Sequence, residues 1–269
     1  MSDLKVTLVQ SQLHWEDIAA NLRMFDEKID SIRERTEVVF LPEMFSTGFS
    51  MQPERLAETM DGSAVQWMKR KAAEKKIIIT GSLIIEENGH YLNRLIWMLP
   101  NGTYGTYDKR HLFGYAGEQD HYEPGNKRLI AQVKGWKINL NICYDMRFPV
   151  WARNTIQADT QAPAYDLLVY VANWPERRKT AWNTLLQARA IENQSFAIGI
   201  NRVGNDGNNI YHSGETSLID PMGEIIYRKS HEEDIFTYTL QREQLDEVRK
   251  NIPFLKDADT FTFLDKESL

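Results

Sequence analysis

One cysteine stands among 269 residues. A lone thiol cannot close an intramolecular disulfide, so the chain has no need of an oxidising compartment. Long apolar runs are missing too. The longest, such as Leu167 to Ala172, fall far short of the ~18–20 residues that cross a bilayer. The opening Met-Ser-Asp-Leu-Lys-Val-Thr-Leu-Val-Gln has an acid at position 3 and no apolar export segment, so a cytoplasmic location is expected. Basic charge is in deficit: 32 Lys+Arg against 38 Asp+Glu give a net charge of −6. This argues against a nucleic-acid partner, which would draw on clustered Lys and Arg. The one dense basic stretch, Lys69 to Lys76, contains Glu74 and reads as a solvated helix face. The sequence lacks HExxH, closely spaced Cys/His pairs, the G-x-S-x-G elbow, the Walker A loop and G-x-G-x-x-G. Metalloprotease, serine hydrolase, nucleotide hydrolase and dinucleotide enzyme lose their usual marks, and no metal or cofactor is expected. There is no linker, low-complexity tract or short-period repeat, so residues 1–269 read as one domain. The tail from about residue 253 is expected to pack on the core or on a partner protomer.

What is present belongs to an ordinary globular chain, 42% hydrophobic and 26% charged, long enough to bury roughly three quarters of its unfolded surface. Leu4 to Gln10 alternates apolar with polar, as a half-buried strand does. Ile18, Leu22, Phe25, Ile29 and Ile32 then share one face of a helix that should run from after Trp15 to near Arg35. The strand Val38–Leu41, a helix from Ser63 to Lys75 and the strand Ile77–Leu83 continue an α/β order. Strands follow at 91–99 and 103–107 around Pro100-Asn101-Gly102, then at 129–133, 136–142, 166–172, 196–201, 215–220, 224–228 and 235–240. Helices are expected at 148–157, 178–193 and 241–251. Roughly a dozen strands with about four to six helices suit two sheets flanked by helices better than one doubly wound sheet or an eight-repeat barrel.

Three residues occupy unusual places. Cys143 stands where the apolar strand 136–142 runs into the polar turn Tyr144-Asp145-Met146-Arg147. Strand-to-turn-to-helix geometry exposes a nucleophile and aims backbone N–H groups at developing negative charge. A buried cysteine serving as a small hydrophobe is the competing reading. A catalytic thiol also needs a base or a cation, and none of the six histidines lies in a recognisable Cys–His arrangement. Glu43 follows Val38-Val39-Phe40-Leu41-Pro42, so its carboxylate sits at the exit of a buried strand, where lost hydration favours a useful base. Lys109 follows the strand 103–107. Glu43 or Lys109 taken alone would ordinarily be surface decoration.

Taken together, Leu41-Pro42-Glu43-Met44, Tyr107-Asp108-Lys109-Arg110-His111-Leu112-Phe113 and Asn141-Ile142-Cys143-Tyr144-Asp145-Met146-Arg147-Phe148-Pro149 resemble the three signature blocks of the nitrilase superfamily of carbon–nitrogen hydrolases. Val171-Ala172-Asn173-Trp174-Pro175 and the segment Gln187 to Asn193 extend the likeness, which is strongest to the omega-amidase branch, hydrolases of 2-oxoglutaramate and related 2-oxo-acid amides. The resemblance implies a four-layer αββα sandwich, an expected homodimer, and a Glu–Lys–Cys triad of Glu43, Lys109 and Cys143. It casts Glu43 as general base and Cys143 as the nucleophile that forms a thioester. Lys109 and the backbone N–H of Tyr144 would stabilise the oxyanion. Glu118, in Gly117-Glu118-Gln119-Asp120, matches a further family carboxylate that orients the lysine or assists proton transfer. A 2-oxo-acid amide carries a carboxylate that an arginine can hold, and Arg147, Arg177 and Arg178 stand near the right segments. Phe45, Tyr115 and Trp174 are candidate pocket walls, with core packing as the equal alternative. The same triad would serve another small amide, nitrile or carbamoyl compound, deaminated glutathione among them, and a catalytically idle binding sandwich is the reading from a different class.

Overall fold

The computed structural model describes residues 2–263. In chain order the elements are β1 (Leu4–Gln10), α1 (Ile18–Asp30), β2 (Val38–Phe40), α2 (Pro53–Leu56), α3 (Ser63–Lys75), β3 (Ile78–Glu87), β4 (His90–Met98), β5 (Tyr104–Asp108), β6 (Leu129–Val133), β7 (Trp136–Ile142), α4 (Pro149–Ala152), β8 (Leu167–Ala172), α5 (Lys179–Asn193), β9 (Phe196–Asn201), β10 (Val203–Asn205), β11 (Tyr211–Ile219), β12 (Ile225–Ser230), β13 (Asp234–Leu240) and α6 (Arg242–Asn251). They form two mixed sheets. The first has the order β13-β1-β2-β3-β4-β5 and the second β10-β11-β9-β8-β7-β6, with β12 paired to β11. β1, β2 and β3 are parallel in one sheet, and β7, β8 and β9 in the other. The strands on either side are antiparallel.

Side-chain alternation builds the layers. Val38 and Phe40 point into the core between the sheets, while Val39 and Leu41 point the other way, onto Phe25, Ile29, Trp67 and Met68 of α1 and α3. Trp182, Leu186 and Ala190 of α5 join the core built on β8 and β9. Every residue of β8 is buried, as a parallel strand covered on both faces must be. The result is the αββα sandwich that the resemblance implied.

Two helices stop short of the sequence expectation. α1 ends at Asp30 and not near Arg35, because the N–H of Ile32 turns back to the carbonyl of Ile29 and tightens the final turn. Ile32 still packs against the core, which is why the apolar period outlasts the helix. The helix expected at 148–157 is only α4. Arg153 is extended, and buried Asn154 bonds the far end of α5 instead: its N–H donates to Asn193 Oδ1 (2.8 Å) and its side chain to the carbonyls of Asn193 and Tyr165 (3.0 Å each). Asn thereby offers the backbone an alternative to helix. In the tail, Leu255 is buried and its N–H donates to Gln194 Oε1, while Phe263 meets Trp151 edge-on at 5.2 Å. The part of the tail expectation that falls on 264–269 lies outside the described residues. Among the described residues no helix is long and apolar enough to cross a membrane.

Candidate active site

Strand ends from both sheets converge on one point. β2 runs through Leu41-Pro42 to Glu43, β5 ends just before Lys109, β7 ends at the residue before Cys143, and β8 ends just before Asn173. Carboxyl ends of parallel strands are where open α/β sheets place ligands.

Glu43 is fully buried. Its Oε1 accepts from Lys109 Nζ (2.9 Å) and Asn93 Nδ2 (2.9 Å), and its Oε2 accepts from the backbone N–H of Asn173 (2.8 Å). The Asn173 side chain also donates to the Glu43 carbonyl (2.6 Å), which locks the end of β2 to the end of β8 across the sandwich. Lys109 Nζ reaches both oxygens of Glu118, at 3.0 and 2.9 Å, and Phe113 N–H donates to Glu118 Oε2. Neither Lys109, Glu43 nor Glu118 exposes its side chain.

One buried ammonium thus lies between two buried carboxylates, and the charges decide what each group can do. Burial works against the Lys109 charge, but Glu118 and Glu43 outweigh it and hold the amine above the ordinary lysine range. Lys109 is therefore a fixed cation, unsuited to act as a free amine base. Burial, and then the charge of Glu43 against the pull of Lys109, raises the Glu118 carboxyl. Cys143 is pushed well above the usual thiol range, first by burial and then by the Glu43 charge. Its resting form is the thiol, and the neighbouring carboxylate is the group able to take its proton as it reacts. Cys143 has φ +44°, a left-handed conformation that costs a non-glycine residue ~1–3 kcal/mol and persists only where surroundings impose it.

These groups sit in a cleft of about 550 Å³ counting its open mouth, lined by Phe49, Phe113, Tyr144, Trp174, Ile210 and His212 among others. Its mouth holds Arg147, Arg177 and Arg178, the first two exposed and the third half-buried. None has a carboxylate partner among the described residues; each instead lies over an aromatic ring, Trp174 at 5.0 Å, Tyr115 at 5.8 Å and Phe113 at 5.0 Å respectively. Burial and the neighbouring Arg177 disfavour the charge on Arg178, the condition that an anionic ligand would relieve. Burial, then Arg202, pushes His212 down to about 4, so its ring faces the cleft uncharged at neutral pH.

Two sequence expectations fail here. Phe45 is not a pocket wall: it is fully buried under the first sheet, packed on Phe25 (5.6 Å) and Trp67 (5.8 Å), because the chain turns at Met44, φ +44°, and sends residues 43 and 45 to different sides. Tyr115 is 78% exposed on a short turn outside the cleft lining, where it touches Phe113 and Arg177. Trp174 does line the cleft. Sequence reasoning missed Asn93, Asn173 and the wall from residues 206–212. For Asn93 and Asn173 a signal existed, a polar residue inside or at the exit of a buried strand, as for Glu43.

The chain matches the carbon–nitrogen hydrolase family over residues 5–250. It is 43% identical to the omega-amidase YafV of Escherichia coli K12 across 97% of this chain and 99% of that protein. It is 29% identical to a 2-oxoglutaramate amidase of Bacillus subtilis across 94% and 96%. Among solved structures, a carbon–nitrogen hydrolase superfamily protein of Xanthomonas campestris superposes with a TM-score of 0.95 at 39% identity, covering 98% of this chain and all of the other.

Proposed function

Since the chain belongs to the carbon–nitrogen hydrolase family, we propose that it is an omega-amidase, releasing ammonia from the terminal amide of a small 2-oxo dicarboxylic acid monoamide such as 2-oxoglutaramate. The observation that carries this reading is the Lys109 ammonium, shared by Glu43 and Glu118, in the same cleft as Cys143 and as three guanidiniums that have no carboxylate partner among the described residues.

The chemistry follows from the charges. Glu43 takes the proton of the Cys143 thiol while the sulfur attacks the amide carbon, and the carbonyl π pair moves onto oxygen. Lys109 Nζ and the N–H of Tyr144 receive that oxyanion; preorganised donors of this kind are typically worth ~10²–10³ in rate each. Protonated Glu43 gives its proton to the amide nitrogen, the C–N bond breaks, and ammonia leaves behind a thioester. Water then adds to the thioester as Glu43 removes its proton. The second tetrahedral intermediate expels the sulfur, which recovers a proton, and the acid departs. Glu118 keeps Lys109 in place. The substrate carboxylate faces Arg178, the most enclosed of the three arginines, with Trp174 and Phe113 as walls.

Ammonia release from 2-oxoglutaramate, with glutaramate as the control lacking the 2-oxo group, tests the proposal. Cys143→Ala is expected to abolish release; turnover at the wild-type rate in that variant would sink the mechanism, and equal rates on the two amides would sink the substrate assignment.

A further inference from the structure

One buried carboxylate joins the lysine's segment to the cysteine's. Asp145 Oδ2 accepts from the backbone N–H of Ile142 (3.0 Å) and from the hydroxyl of Tyr107 (2.7 Å). Its Oδ1 accepts from the backbone N–H of His111 (3.0 Å) and lies 2.8 Å from His111 Nδ1. Tyr107 and His111 stand two residues before and two after Lys109, and Ile142 immediately precedes Cys143. The network is closed. Burial, and then the charge of Asp145, keeps the Tyr107 hydroxyl protonated and so a donor, while the oxygen of that hydroxyl accepts Trp151 Nε1 (3.0 Å) and the N–H of Arg110 (3.3 Å). The His111 ring is held flat on Phe148, 3.9 Å away at 8°.

We propose that Asp145 is a positioning residue of the reaction, setting the distance between Lys109 Nζ and the Tyr144 N–H so that both donors meet one oxyanion. The inference rests on the roles given above to Lys109, Tyr144 and Cys143. Its physical basis is that those donors arrive on separate strands of different sheets, and the left-handed turn at Cys143 needs external restraint. Four hydrogen-bonding contacts to one fully buried carboxylate supply it. A shift of about 1 Å at such a site can cost ~10²-fold in rate. Asparagine has one acceptor oxygen and would turn an NH₂ group toward two donors, so Asp145→Asn loosens the clamp without altering size.

Two rates separate positioning from mere structural support. Hydrolysis passes through an oxyanion; alkylation of Cys143 by iodoacetamide displaces iodide and forms none. Asp145→Asn is expected to lower kcat ~10²-fold, with KM for 2-oxoglutaramate and the alkylation rate constant each changed by no more than about threefold. Tyr107→Phe removes one of the four contacts and should show the same split with about a tenfold loss of kcat. A parallel fall in turnover and alkylation, a rise in KM with kcat kept, or wild-type kcat in these variants overturns the proposal; should Asp145→Asn not fold, Tyr107→Phe alone decides. A wild-type enzyme inactive on every amide would instead remove the underlying functional reading.

Discussion

Replacing Lys109 by methionine removes the ammonium that two carboxylates share and leaves Glu43 and Glu118, both fully buried, facing one another without a cation. Breaking a buried pair by removing one partner typically costs roughly 3–5 kcal/mol, because the charge left behind is uncompensated. At roughly 2–4 °C per kcal/mol for a chain of this size, the melting temperature at neutral pH should fall on the order of 10 °C. The loss should depend on pH with a definite sign. Glu118 is already held above its ordinary value of 4.5 in the wild type, first by burial, and without the ammonium it rises further. A carboxyl whose folded-state value exceeds its unfolded one stabilises the fold below the unfolded value, and that contribution disappears as pH rises through the folded value. The deficit of the variant should therefore be smallest below pH 4.5, where Glu118 is protonated in both states, and grow toward neutrality. Adding Glu118→Gln to Lys109→Met removes one of the two stranded charges and should restore part of the melting temperature, yet no activity. Calorimetric melts from pH 4 to 8, read beside ammonia release, provide the measurement. A deficit independent of pH, or a double variant less stable than Lys109→Met, would show that the three side chains do not form the charge cluster argued for.

Two further outcomes are expected. Arg178→Met should reduce kcat/KM for 2-oxoglutaramate ~10–10²-fold, the worth of a charge-assisted hydrogen bond of about 1.5–3 kcal/mol, while leaving a neutral amide such as propionamide nearly unaffected; equal losses on both would remove Arg178 as the carboxylate ligand. The homodimer implied by the family resemblance would cover exposed apolar side chains such as Val150, Ile191 and Phe254; sedimentation velocity giving a monomer at micromolar concentration would rule that assembly out.

The elements easiest to read were those whose pattern and burial agree. Residues 129–133, 136–142 and 196–201 are strands with the bounds that their apolar runs suggest, and α3 occupies the expected Ser63–Lys75. The misreadings have specific causes. The helix at 148–157 is cut short by a contact between Asn154 and Asn193, 39 residues away, which no local pattern carries. Val203–Asn205 is a three-residue strand that exists only because Ser213 to Tyr211 lies beside it. Phe45 sits two residues beyond Glu43 and looks like a wall, but a single left-handed residue between them sends it into the opposite layer.

By itself the sequence determined which chemistry was available. Three blocks carrying a carboxylate, an ammonium and the one thiol resemble those of a carbon–nitrogen hydrolase, and it was that resemblance, not the residue types alone, that implied the reaction class. Only the tertiary structure decided how those groups act on each other. Residues 43, 109 and 143 are far apart along the chain; burial raises the Cys143 thiol, and the Lys109 amine keeps its charge because Glu43 and Glu118 each lie 2.9 Å from it. Such forces arise when β2, β5, β7 and β8 bring their ends to one point; along the chain they do not exist. The same holds for Asn93, Asn173 and Asp145, which meet Glu118, Glu43 and His111 respectively, 25, 130 and 34 residues away, only in the folded chain.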